Sequence, residues 1–328
     1  MPSSNSGLAF AFVGVLVGAV GASSRAEALP QAQGFSADRF YPSAPGGGWF
    51  VMDTLDLEGG LGGAAGLTLR YAHDPLRVTA PGSPPLSVVA NQAVADLAFA
   101  VTYDRFRLYV NLDSPIWVGG SSGTVGGYTF TAPDVDLGGT PDSLSDVRFG
   151  FDALVLGRVG SAFRMGVGAQ LFVPNLYNDT RADYDTDGTY RAMGRVLFAG
   201  DVGALTYAGQ LGVHVRPLDD SPAPGSPQGS EFLFGLAAGA KASVFPKTAL
   251  VVGPEFYGAS AFRSFLSAPG TSLEGLLSGR LETTPDVGPQ VRVKLGVGAG
   301  LDQQLGTPEW RVALAIEVAA HAPCKAGR

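Results

Sequence analysis

The feature that constrains this chain most is a strict alternation of apolar and polar side chains, repeated in short blocks from residue 66 to residue 318. In residues 291–297, Val291, Val293, Leu295 and Val297 alternate with Arg292, Lys294 and Gly296. In residues 105–113, Phe106, Leu108, Val110 and Leu112 alternate with Arg105, Arg107, Tyr109, Asn111 and Asp113. Successive side chains of a strand point to opposite faces, so a period of two means strands rather than helices. Twelve blocks carry the pattern: 66–73, 92–103, 105–113, 146–156, 163–173, 190–198, 205–216, 231–244, 249–257, 273–281, 290–301 and 310–318. A thirteenth, WFVMDTLDLEG at 49–59, precedes them. Its parity is awkward, because bacterial single-chain membrane barrels have even strand numbers. Either it lies outside the ring, or another strand hides in IWVGG or GYTFTA.

The connections alternate too. Short turns (YDR, LGRVGS, AGDVG, FPKT, ETTPDV) take turns with long Gly-, Pro- and Asp-rich loops such as PNLYNDTRADYDTDGT and PLDDSPAPGSPQGS. An antiparallel up-and-down barrel with short periplasmic turns and long extracellular loops has this rhythm. A soluble barrel alternates as well, but it points its apolar side inward. Some twelve strands would then enclose an apolar core too wide for side chains to fill. Inverting the polarity removes the difficulty: leucine, valine and phenylalanine meet lipid, charged and small residues line a polar lumen, and every backbone group is paired in a closed ring. Tyr71, Tyr103, Tyr257 and Trp310, near strand ends, read as interfacial aromatics. The expected fold class is therefore all-β, a transmembrane antiparallel barrel of about 12 strands, with 14 as the alternative; a secreted soluble β protein is the competing class. Composition agrees with the membrane reading: 45% of residues are hydrophobic and only 16% charged, against roughly 25% charged in soluble domains.

Residues 7–22, GLAFAFVGVLVGAVGA, form an apolar run followed by the small-x-small pattern Ala26-Glu27-Ala28. The run is shorter than the roughly 20 residues a spanning helix needs, and it reads as a secretory signal peptide. The expected organisation is a signal peptide over 1–28, a periplasmic lead over 29–47, an outer-membrane barrel over 48–320 and a tail over 321–328.

Parity places a charged set inside the barrel. Arg70, Arg105, Arg107, Arg148, Arg164, Arg191, Arg195, Lys241, Arg280, Arg292, Lys294 and Arg311 face the lumen with Asp96, Asp113, Asp152, Glu231, Glu255, Glu274, Glu282 and Glu317. Two outcomes follow: a passive pore that the inward excess of Arg and Lys tilts towards small anionic solutes, or a structural barrel whose charges pair and fill it. Surface adhesion through the long loops is the other functional class. Asp183, Asp185 and Asp187 open like a calcium loop, but Gly194 stands where the bidentate Glu belongs, so a solvated turn is the simpler expectation. His73, His214 and His321 are scattered, Cys324 is the sole cysteine and no G-x-S-x-G occurs; no enzyme, cofactor or metal cluster is expected. The net charge of −7 gives no reason to expect nucleic-acid binding.

The stretches FSADRFYPSAPGGGWFVMDTLDLEG, AGLTLRYAHDPLRV, NQAVADLAFAVTYDRFRLYVNLDSPIWVGG and LSDVRFGFDALVL resemble the N-terminal barrel region of myxobacterial outer-membrane proteins of the OmpA-like family. The likeness spans nearly all of the chain after the signal peptide, through diffuse motifs. It implies an outer-membrane barrel, often followed in that family by Asp-rich repeats and a peptidoglycan-binding domain. This sequence ends at HAPCKAGR, so contact with cell-wall components is expected only if such a domain follows.

Overall fold

Backbone N–H and C=O groups facing an apolar surround must pair with one another, and a sheet achieves this without edges only by closing on itself. The computed structural model, which describes residues 29–57, 59–136, 145–174, 183–218, 226, 228–283, 288–302 and 306–321, shows that closure. The expected signal peptide and most of the tail lie outside the described residues. The ring contains β1 (Gly62–Val78), β2 (Leu86–Tyr103), β3 (Phe106–Gly119), β7 (Val147–Leu156), β8 (Arg164–Val173), β9 (Arg191–Val202), β10 (Leu205–Val215), β11 (Glu231–Phe245), β12 (Thr248–Ala261), β13 (Thr271–Thr283), β14 (Gln290–Gly300) and β15 (Trp310–His321). Each pairs antiparallel with its chain neighbours, and β1 pairs with β15 to close a twelve-stranded barrel. All twelve expected blocks are strands of this ring. Fourteen is not observed: IWVGG is the end of β3, and GYTFTA supplies β5 (Tyr128–Phe130), which hairpins with β4 (Gly123–Val125) outside the ring. A two-residue β6 (Asp134–Val135) pairs with the end of β3.

The polarity is inside-out. On β2, Leu97, Phe99, Val101 and Tyr103 are exposed while Asp96, Ala98, Ala100 and Thr102 are buried. On β14 and β15, Leu295 (56%) and Leu314 (40%) are exposed, whereas Lys294 (3%) and Arg311 (1%) are buried. A surface this continuously apolar is not tolerated by a soluble monomer, which removes the secreted soluble reading. Tyr71, Trp117, Trp310 and His73 pack into an outer aromatic cluster near the long-loop mouth, with Tyr71–Trp310 ring centroids 5.1 Å apart. Tyr257 does not join such a girdle: it shares parity with Glu255, so it points inward and meets Phe40 edge-on at 5.8 Å.

Turns of two residues join β2 to β3 (104–105), β9 to β10 (203–204) and β11 to β12 (246–247), all at the mouth where β1 begins. The long loops lie at the opposite mouth. Arg105 sits in the first of these turns, after Asp104 with φ +52°; the tight hairpin takes it out of the strand, so it is not the lumen residue its parity indicated.

The largest departure from expectation lies before the ring. Residues 29–47 are not a free periplasmic lead, and the ring starts at Gly62 rather than at 48. The segment enters at the long-loop mouth, where Ala32 N–H donates to Thr129 O and Thr129 N–H to Pro30 O. It runs through the lumen and joins β1 at the short-turn mouth, where Asp104 N–H donates to Gly59 O. Phe35, Phe40, Phe50, Met52, Leu55 and Leu57 are all 0–1% exposed. The physical cause is the ring's own wall. Facing the segment it presents Ala199, Ala208, Ala237, Ala313 and Ala315, and these pack with Phe40, Trp49, Phe50 and Met52 into one core. A Cβ on the inward-facing Gly239 would stand 2.6 Å from Trp49, and one on Gly235 2.2 Å from Met52. Strand side chains this small leave a hole, and the chain's own N-terminal segment fills it.

Candidate functional site

The filled lumen is where charge, burial and specific geometry converge. Three kinds of contact hold the segment. Wall cations grip its carbonyls: Arg148 Nη2 donates to Pro42 O (2.8 Å), Arg292 Nη1 to Gly46 O (2.6 Å) and Lys294 Nζ to Trp49 O (3.0 Å). A wall carboxylate takes its amides: Phe50 N–H and Val51 N–H donate to the two oxygens of Glu255, each at 3.0 Å. Wall arginines pair with its aspartates. Asp38 accepts from Arg311 Nη2 (2.8 Å) and Arg70 Nε (3.1 Å), Asp53 pairs with Arg107, and Asp56 lies 3.8 Å from Arg164 and 3.7 Å from Arg292. Arg39 of the segment reverses the polarity by donating to Glu231 (3.1 Å).

The remaining wall charges largely satisfy one another. Arg195 pairs with Asp152 (2.9 Å), Arg164 with Asp201 (2.8 Å), Arg280 with Glu282 (3.2 Å), Lys294 with Glu317 (2.5 Å), Arg311 with Glu274 (2.7 Å) and Arg70 with Asp113 (3.2 Å). Arg191 pairs with Asp146. Arg280 also lies over the Trp49 ring, 5.0 Å from its centroid. Lys241 has its side chain 44% exposed at the short-turn rim, where it pairs with Glu282 at 2.8 Å. Buried ion pairs of this kind set geometry more surely than they add stability, because desolvation offsets much of the attraction.

Sequence reasoning missed the segment's Asp38, Arg39, Asp53 and Asp56, and it missed Arg216. Arg216 closes the long-loop mouth by pairing with Asp187 (2.7 Å) and Glu231 (3.3 Å). Asp187 also accepts Ser36 N–H at 2.8 Å, so it is a structural anion rather than a calcium ligand. Among the described residues no three His, Cys, Asp or Glu gather to hold a metal. Burial alone would raise the Asp187 carboxyl, but the Arg216 and Arg191 guanidiniums override it and hold the group below the usual carboxylate range. Its contribution is complete at neutral pH and decays only as pH falls below about 4, where the unfolded chain takes up protons first.

Asp185 is the opposite case. Both its oxygens are sealed from solvent and, among the described residues, no other residue donates to them; burial, then Asp183 and Asp146, push its carboxyl well above the usual range. A raised acid favours the fold below its unfolded pKa and loses that benefit as pH rises through the folded value. Asp185→Asn is therefore expected to stabilise the protein by about 1–2 kcal/mol at pH 7, with a smaller gain at pH 4. Thermal melts in detergent at the two pH values check it; equal gains at both would show that charge is not the cause.

Among the described residues, discrete cavities remain beside the segment. One cavity of about 220 Å³ opens at the short-turn mouth, beside Asp56, Arg107, Lys241, Glu282 and Arg292. The pocket beside Asp38, Arg70 and Asp185 measures about 20 Å³.

No protein-family model matches the sequence, and no curated protein matches it. Solved structures are similar in fold. An outer membrane channel from Pseudomonas putida F1 superposes with a TM-score of 0.53 at 14% identity, covering 82% of this chain and 98% of the channel. The chain has the fold of a twelve-stranded outer-membrane β-barrel. The NanC porin (TM-score 0.42, 8% identity, 78% of this chain and 100% of the porin) and LpxR from Salmonella typhimurium (TM-score 0.37, 10% identity, 78% and 100%) are more distantly similar.

Proposed function

We propose that the protein is an outer-membrane pore held shut by its own N-terminal segment, and that conduction rather than catalysis is its task. One observation carries this reading: residues 35–57 occupy the lumen of a ring whose inward side chains are too small to fill it. The segment is not a strand of the ring. Between residues 38 and 57 its backbone bonds are internal, such as Ser43 N–H to Phe50 O and Thr54 N–H to Gly47 O, and side chains make its ties to the wall. It is a separable piece, and removing it leaves a passage.

Magnitudes decide the resting state. A fully buried large apolar side chain contributes about 1.5–3 kcal/mol, so Phe40, Trp49, Phe50, Met52, Leu55 and Leu57 together hold the segment with on the order of 10 kcal/mol. Thermal release is rare on that scale, and opening requires work on the segment. Leu29, at the long-loop mouth, is 52% exposed, so that mouth is the side from which the segment can be reached. Among the described residues, the histidine that faces the lumen is His214, whose Nδ1 lies 3.0 Å from Glu231 in a fully buried pair; that contact accounts for it structurally.

Planar-bilayer recordings test the proposal. The native chain is expected to be silent, and a barrel lacking residues 31–57 to conduct steadily while keeping heat-modifiable migration on a denaturing gel. A folded but silent deletion variant would leave a structural barrel, and steady conduction by the native chain would remove the gate.

A further inference from the structure

The segment's carboxylates sit where an anionic solute would sit in the cleared lumen. At the upper station two guanidiniums converge on one carboxylate. Arg311 donates to both oxygens of Asp38, Nη2 at 2.8 Å and Nη1 at 3.3 Å, and Arg70 Nε adds a third bond at 3.1 Å. At the lower station Arg107 holds Asp53. Register separates the two. Gly62 stands opposite Thr102, and Thr102 opposite Arg107, at the short-turn end; Arg70 lies roughly 27 Å farther along β1 at about 3.4 Å per residue.

These arginines belong to the wall and are held there independently of the segment. Glu274 fixes Arg311 at 2.7 Å, Asp113 fixes Arg70 at 3.2 Å and Asp152 fixes Arg107 at 2.7 Å. A guanidinium carries five N–H donors, and one wall carboxylate does not exhaust them. The Arg311 fork, with the Arg70 Nε–H beside it, matches a carboxylate's paired oxygens and suits a spherical halide poorly.

We propose that the Arg70–Arg311 and Arg107 stations are binding sites for small carboxylate solutes, which the aspartates of the N-terminal segment occupy in the closed state. The inference deepens the gated-pore reading and rests on it for the solute's entry, but the station's chemistry can be tested without conduction. The solute class is organic acids with a free carboxylate; the segment closes the pore by offering the same group from within.

The test is chemical rescue in the full-length chain. Asp38→Ala removes the carboxylate and keeps every wall arginine. Its melting temperature in detergent is expected to fall, and acetate is expected to recover more than half of that loss, with chloride at equal ionic strength recovering little. Acetate should leave the native protein almost unmoved. Combining Asp38→Ala with Arg311→Lys keeps the charge and removes the fork, and acetate rescue is expected to disappear. Equal rescue by chloride and acetate, no rescue by either, or rescue that survives Arg311→Lys would overturn the assignment. If Asp38→Ala does not fold, refolding yield in acetate against chloride gives the same answer. Rescue in a protein whose segment-free form never conducts would sink the gate and leave the station standing; absent rescue in a conducting barrel would do the reverse.

Discussion

Replacing Arg107 by methionine is expected to cost about 3–5 kcal/mol. The side chain is 2% exposed and stands between Asp53 of the segment and Asp152 of β7, themselves 3% and 0% exposed. Methionine fills much of the volume and supplies no charge. Asp152 keeps Arg195 at 2.9 Å, so the wall retains a pair. Asp53 loses its cation and keeps only Leu55 N–H at 2.7 Å. The stranded group is therefore on the segment, and the damage should fall on docking rather than on the ring. Trp49 reports on docking, because it is 2% exposed in the lumen whereas Trp117 and Trp310 are each 43% exposed on the outside. With those two changed to phenylalanine, urea titration should shift the Trp49 emission transition to lower urea while gel migration of the folded barrel holds. Adding Asp53→Asn removes the orphan charge and should recover about 1–3 kcal/mol of the loss. Strict additivity of the two changes would show that the pair does not act as one unit, and equal loss in ring and segment would show that Arg107 serves the wall.

The ring was legible because its rule is local. Lipid outside and polar lumen inside force period-two alternation wherever a strand crosses, so each block could be read without its neighbours, and parity alone sent Arg148, Arg292, Lys294 and Arg311 inward. Strand ends were less legible. β1 extends from 62 to 78 although only 66–73 alternates clearly, since Gly62, Gly63, Ala64 and Ala65 carry no contrast and a register shift follows His73. Arg105 failed because a two-residue turn overrides parity, and Tyr257 because its position near a strand end was weighted above its parity with Glu255. The segment was illegible for a different reason. Filling a lumen imposes no period, so Phe40, Phe50, Met52 and Leu55 had to meet whatever holes the assembled wall left, and those are known only once twelve strands have closed. The trace it left was indirect: inward positions held by Ala237, Gly239, Ala313 and Ala315, too small for a ring of this width, and WFVMDTLDLEG as one block too many for an even barrel.

If the segment is the proposed gate, Glu255 is a wall residue that holds it directly. It is 0% exposed, and its two oxygens accept the adjacent N–H groups of Phe50 and Val51 where the segment turns back in mid-lumen. Buried amides without acceptors cost about 1–3 kcal/mol each. Glu255→Ala is expected to lose about 2–5 kcal/mol of docking on that basis, and Glu255→Gln roughly half, because its amide oxygen still takes one N–H while its NH₂ opposes the other. A loss of about 1.4 kcal/mol is tenfold in an equilibrium constant, so the alanine variant should raise the undocked population by about 30- to 4,000-fold. Hydrogen exchange at Phe50 and Val51 reads that population directly, and brief openings in bilayer records should rise with it. Faster exchange at both amides with unchanged exchange in β12 and β13 is the expected signature. Exchange that quickens equally in the strands would mean that Glu255 holds the ring, and quickened exchange without any openings would mean that an undocked segment still blocks the passage. The ordering Ala, then Gln, then native separates these cases, since it follows the number of amides left without an acceptor.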